Sequence, residues 1–167
     1  AAGTEHPVSW LRSLCLATRD IPDVELSIFI DTRAVQKLHR VHLENTPVLF
    51  SPRHEPLRLN PYHLHFPAQF RLKPHLQAFQ PDLVHGFGSQ GQSGIIAVRQ
   101  KQPSIISIQG MAEFIGPWSK MSTMQRKVER AVERAVIKRA NAFIAKTNFA
   151  RDWILEKRPG ADITLIP

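Results

Sequence analysis

Asp82-Leu83-Val84-His85, Ser104-Ile105-Ile106-Ser107-Ile108, Ala142-Phe143-Ile144-Ala145 and Ile163-Thr164-Leu165-Ile166 are four short apolar runs that punctuate residues 82–166 of this 167-residue chain. Helical patterns separate them. Gly91 to Lys101 carries Ile95, Ile96 and Val98. Met121 to Ala140 places Met121, Met124, Val128, Ala131, Val132 and Ala135 on one predicted apolar face. Phe149 to Lys157 stops at Pro159-Gly160. Strand alternating with helix in this way specifies an α/β fold, a parallel sheet with helices packed on both faces. Its crossovers are expected to be right-handed.

Outward from this segment the pattern weakens. Pro7 to Leu16 reads as a helix, with Val8, Leu11, Leu14 and Cys15 on one face and Pro7 suited to the first turn. Val24, Leu26, Ile28 and Ile30 alternate with polar residues as a strand does, and Thr46 to Phe50 forms a second strand bounded by Pro52. Pro56, Pro61, Pro67 and Pro74 imply loops and one broken helix ending near Gln80. Much of residues 31–80 follows no period.

Composition sets outer limits. With 43% hydrophobic and 22% charged residues the chain is globular, and its length suits one α/β domain around one core. No apolar run approaches the ~18 residues of a membrane helix, and no signal peptide is visible at Ala1-Ala2-Gly3-Thr4. A single cysteine, Cys15, excludes an internal disulfide and reads as a small core residue. The net charge is +8, of which residues 118–167 supply +6, holding 11 Lys/Arg against 5 Asp/Glu. Nucleic acid, an anionic membrane surface, an anionic small molecule and a plain solvated face are the competing explanations. The cations Lys120, Arg126, Lys127, Arg130, Arg134, Lys138, Arg139 and Arg151 are interleaved with Glu129 and Glu133, which favours a solvated face over a phosphate track.

In an open parallel sheet, ligands bind beyond the carboxyl ends of the strands. The segments leaving the strands are His85-Gly86-Phe87-Gly88-Ser89-Gln90, Gln109-Gly110-Met111-Ala112-Glu113 and Lys146-Thr147-Asn148. All three should share one rim. Gly86 to Gly91 has G-x-G-x-x-G spacing, but no acidic residue closes the next strand, so a dinucleotide fingerprint is weak. His63-x-His65 and His39-x-x-His42 are the only metal-like spacings, without an H-E-x-x-H pattern, and no metal is expected. There is no G-x-S-x-G elbow and no Walker motif.

The rim segments resemble a known family. Pro81-Asp82-Leu83-Val84-His85-Gly86-Phe87-Gly88 resembles the P-D-(V/I)-V-H-(A/G)-H-G segment of group 1 (family four) retaining glycosyltransferases. Ile106 to Met111 resembles their T-(I/V)-(H/Q)-G segment. Glu129 to Ala145 is similar to their E-R…R-A-D-x-(I/V)-I-A helix-to-strand stretch, and Gly3 to Trp10 looks like a G-T-x-H-P-x-x-W opening loop. The four stand in order over nearly the whole chain.

The resemblance implies a GT-B architecture, two Rossmann-like domains facing a cleft. Residues 1–167 would be the N-terminal, acceptor-side domain. The donor-binding domain would follow Leu165-Ile166-Pro167, where related sequences continue. The implied activity is transfer of a sugar from a nucleotide-sugar donor to a glycan or lipid-linked acceptor with retention of configuration, as in polysaccharide biosynthesis. No metal or other cofactor is implied. The implied location is cytoplasmic, or peripheral on the inner face of a membrane. The chain alone would be inactive. Gln109, Gly110 and Glu113 would form the catalytic wall. Gly3, Thr4, Glu5, His6, His85, Gly86, Phe87, Gly88, Lys146 and Thr147 would touch donor or acceptor. Gln109 and Phe87 stand where relatives carry histidines, so neither can serve as a base that titrates near neutrality. A basic module for nucleic acid or another polyanion is the alternative, though nucleic acid is not the expected partner.

Overall fold

The computed structural model describes residues 9–53, 64–115 and 121–166. The chain divides into two compact units, Ala1–His54 and Glu55–Pro167, where its length had suggested a single core.

The first unit holds α1 (Ser9–Arg19), β1 (Ile28–Thr32), β2 (His39–Leu43) and β3 (Thr46–Pro52), with strand order β1-β3-β2. Leu11 and Cys15, one helical turn apart on α1, are buried, so Cys15 is the core residue its spacing predicted. β1 begins later than the alternation suggested. Asp23 turns the chain with φ 62° and Val24 is exposed, whereas Ile28 to Thr32 pair in parallel with Val48 to Pro52. The hairpin of β2 with β3 was not legible. Its two-residue turn is Glu44-Asn45, both at positive φ, a left-handed pair that usually advertises itself with glycine. His39 and His42 are three apart on β2 and point to opposite faces. His63 lies outside the described residues. Buried Asp31 accepts a 2.9 Å bond from Arg53 Nε, tying β1 to the end of β3.

The second unit is the parallel α/β fold that the sequence specified. Its elements are α2 (Phe66–Phe79), β4 (Val84–Phe87), α3 (Gln92–Ala97), β5 (Ser104–Ser107), α4 (Ala112–Ile115), α5 (Thr123–Arg139), β6 (Ala142–Ala145), α6 (Asn148–Lys157) and β7 (Asp162–Leu165). The sheet order is β4-β5-β6-β7, every pair parallel, and the sheet is Rossmann-like. β4 starts two residues after the apolar run does, because pairing with β5 begins at Val84↔Ser104 and leaves Leu83 exposed. α3 ends before Lys101: Arg99 and Gln100 donate to Ile96 and Ala97 in tight turns. α2 runs through Pro74 and stops at Gln80, whose left-handed backbone returns its N–H to Leu76. The core gathers Ile95, Ile106, Val136, Phe143 and Ile154, all essentially without solvent contact.

α5 is the element that the sequence read least well. Its start is fixed by a capping box between Ser122 and Gln125, and Lys138 and Arg139 suit its carboxyl end. Its buried face is Gln125, Glu129, Val132, Glu133, Val136 and Ile137. Met124 and Ala131, assigned to the apolar face, are exposed. Glu129 and Glu133, assigned to a solvated face, are 7% and 3% exposed. Turning both carboxylates inward strips the outer face of its acids. Lys127, Arg130, Arg134 and Lys138, spaced three, four and four residues apart, form one exposed cationic stripe rather than a mixed-charge surface.

Gly94 sits where α3 crosses the turn after β4. A Cβ there would lie 2.5 Å from the Gly88 carbonyl oxygen and 3.2 Å from Val136. The nearest atom is backbone, so Gly94→Ala should cost about 3 kcal/mol, the upper end of overpacking. Thermal unfolding checks this, and an unchanged midpoint would contradict the packing described.

Candidate functional site

The three strand exits do meet on one edge. β4, β5 and β6 are adjacent and parallel, so Gly88 to Gly91, Gln109 to Glu113 and Lys146 to Asn148 all emerge at the carboxyl end of the sheet. The first exit is a tight turn. Gly88 has φ 104° and donates to Ser107 O at 2.8 Å, and Gly91 has φ 71° at the head of α3. Gly86 is packed: a Cβ there would meet Ser93 O, Ile106 and Ala97 at 3.0–3.1 Å. Gly86 is thus required by close packing and Gly88 by its backbone angle.

Two carboxylates on α5 hold the exits in place. Glu133 Oε1 accepts from Ser89 Oγ at 2.7 Å, and both of its oxygens lie 3.1 Å from the Ala112 N–H. Ser89 Oγ also lies 3.1 Å from the Gly110 carbonyl. One buried side chain thus ties the exit of β4 to the exit of β5. One turn earlier, Glu129 Oε2 accepts the Gly91 N–H at 3.0 Å, and its other oxygen lies 3.3 Å from Nε2 of buried His65. Burial pushes the Glu133 carboxyl above the usual range, against the opposing pull of Ser89 and Ala112. Sequence reasoning missed both glutamates as site-builders. The only available signal was a pair of acids four apart in an otherwise basic helix.

The expected contact residues sort into three groups. Gly3, Thr4, Glu5 and His6 lie outside the described residues. His85, Phe87, Thr147 and Glu113 are engaged by the protein itself. The His85 and Phe87 rings stack at 4.4 Å on one face of β4, and His85 Nε2 lies 2.8 Å from Ser107 Oγ. Desolvation lowers the His85 pKa, which favours the neutral ring. Thr147 Oγ1 accepts the Ala150 N–H at 3.1 Å and caps α6. Glu113 Oε2 accepts from Trp153 Nε1 at 3.1 Å and lies 3.2 Å from Lys157 Nζ, and these bonds draw its pKa down. That geometry makes Glu113 a brace between α4 and α6. The third group is open to a ligand: Gln109 and Lys146 are exposed at the rim, with Gly110 half-buried beside them.

The model of Glycosyltransferase Family 4 matches residues 14–167. The chain belongs to Glycosyltransferase Family 4. A comparison with curated proteins returned no match. Family membership supports a glycosyltransferase function in general terms, with a sugar donor and an acceptor as partners. The Rossmann-like sheet is consistent with one half of the GT-B fold of this glycosyltransferase family. The family match runs through the rim, including exposed Gln109 and Lys146. Among the described residues no helix is long and apolar enough to cross a membrane.

The raised Glu133 pKa has a signed consequence. A carboxyl held higher in the folded state gives stability that is fully present below the unfolded value and is lost as pH rises through the folded one. Glu133→Gln removes that titration while losing part of the acceptor set. Its stability deficit relative to the parent chain should therefore be largest in acid and shrink towards neutral pH. Urea unfolding across pH 4–8 measures this, and a deficit that grows with pH would contradict the assignment.

Proposed function

We propose that this chain is the acceptor-side domain of a retaining, metal-independent glycosyltransferase that uses a nucleotide-sugar donor and a glycan or lipid-linked acceptor, as in polysaccharide biosynthesis. The observation that carries the reading is the exposed Gln109-Gly110 segment on a carboxyl-edge rim whose adjoining turns are fixed by Glu133. Transfer of this kind needs two reactants held in a fixed relative orientation, and a rim fixed by buried hydrogen bonds limits the motion that would spoil it. Gln109 can donate to or accept from a sugar hydroxyl, and it cannot act as a titrating base. Lys146, beside it, offers a cation to an anionic group of donor or acceptor. The leaving diphosphate needs more positive charge than this rim supplies, which a second, donor-binding domain would contribute.

Gln109→Ala in the intact enzyme should lower kcat/KM by roughly 10- to 100-fold, the loss of one hydrogen bond made in the transition state. Unchanged efficiency would remove Gln109 from the site. The chain by itself should consume no sugar nucleotide, and turnover by these residues alone would contradict the division of labour.

A second reading rests on the Lys127-Arg130-Arg134-Lys138 stripe. Among the described residues no carboxylate lies within ion-pair distance of these four cations, although the Arg130 charge is felt at Glu113. A one-sided cationic helix fits peripheral docking to an anionic membrane, which would bring a lipid-linked acceptor to the rim from the cytoplasmic side. Reversing Arg130 and Arg134 to Glu should abolish salt-sensitive co-sedimentation with phosphatidylserine vesicles. Equal binding by the variant, or none by the parent, would sink this reading. Preference for nucleic acid over vesicles would instead favour a polyanion module.

A further inference from the structure

Phe114 and Phe149 are large aromatic side chains left in the open at the rim, 44% and 58% exposed. They come from different exits. Phe114 lies on α4, after β5, and Phe149 lies in the first turn of α6, after β6. Their ring centroids are 5.1 Å apart with the planes inclined at 57°. Such a pair gains little from staying wet, since each ring still exposes apolar surface that burial would stabilise.

The supports beneath the pair are unusually complete. α4 has only four residues and too few internal hydrogen bonds to stand alone. Glu133 grips its first N–H from below with both carboxylate oxygens. Glu113, the residue before Phe114, is held from the side by Trp153 and Lys157 of α6, and Lys157 Nζ sits 5.0 Å from the Trp153 ring centre. Thr147 caps α6 two residues before Phe149. Each ring thus stands on a short segment that is anchored by buried or bridging polar bonds. Gln109 and Lys146, both exposed, leave the same two strands, β5 and β6, as the segments that carry the rings.

We infer that Phe114 and Phe149 form a preorganised stacking platform for a sugar ring of the acceptor. A pyranose has one face of C–H bonds and a rim of hydroxyls. Exposed aromatic rings complement the C–H face, and the Gln109 amide and Lys146 ammonium, from the same two strand exits, offer partners to hydroxyls. The platform names the acceptor subsite of the transfer reaction proposed above and rests on that reading. Phe87 is not part of this surface: its ring stacks on His85.

The test is a glycan array of defined oligosaccharides, probed with the whole chain in three forms: unaltered, Phe149→Ala and Phe149→Tyr. Circular dichroism and thermal unfolding confirm that each form is folded. The platform predicts binding to at least one glycan, about tenfold weaker for Phe149→Ala, equivalent to loss of one aromatic contact, and restored by Phe149→Tyr. Phe114→Ala should weaken the same glycans. No glycan bound by the unaltered chain, or equal binding by Phe149→Ala, overturns the platform. Competition by uridine monophosphate that depends on Phe149 also overturns it, since the rings would then hold a nucleobase. Sugar-nucleotide consumption by the intact enzyme is scored separately. If Phe149→Ala leaves glycan binding intact while donor is still consumed, the platform fails and the transferase reading stands. If no donor is consumed, the transferase reading fails.

Discussion

The carboxylate of Glu133, buried on α5 and bonded to Ser89 and to the Ala112 backbone, is the constraint on which the carboxyl edge depends. Strand exits are usually the loosest part of a parallel sheet, because their backbone groups have left the ladder. Here one charged acceptor satisfies a hydroxyl and an amide from two different exits. Burying such a group is costly unless its hydrogen bonds are made. Losing it would leave the Ala112 N–H unsatisfied, at about 1–3 kcal/mol, and leave the Ser89 hydroxyl with only the Gly110 carbonyl to bond. Glu129 repeats the device one turn away on Gly91. The rim is thereby held by the helix that packs under it and not by its own sequence.

The same arrangement shapes the exterior. A helix that turns both of its mid-length acids inward is left with an outer face of Lys127, Arg130, Arg134 and Lys138. Four of the 11 Lys/Arg of residues 118–167 are thus gathered by folding into one stripe. A single packing choice determines both the rigidity of the candidate site and the sign of the neighbouring surface.

The parallel fold was legible because its signal is local. Ile105-Ile106, Phe143-Ile144 and Ile163 lie in short apolar runs, and the helices between them carry a regular period. β6 falls on the residues read for it, since Asn141 and Lys146 bracket the run. Edges moved where pairing rather than polarity decides them, as at Leu83 and Val24. The β2–β3 hairpin stayed hidden because Glu44-Asn45 make a left-handed turn without glycine. At the site, the exits and Gln109 could be read from position alone. The roles of Glu129 and Glu133 could not, because an acid beside arginines looks solvated until three-dimensional packing places it inward. Phe114 and Phe149 are 35 residues apart in the chain, and nothing in either segment announces the other.

The central claim is that Glu133 locks two strand exits into one rim. Hydrogen–deuterium exchange on the parent chain and on Glu133→Ala tests it most directly. The account predicts faster exchange confined to residues 88–92 and 110–114, with the β5 and β6 amides still protected. Unchanged exchange in those two segments, or an equal rise across the whole sheet, would contradict it.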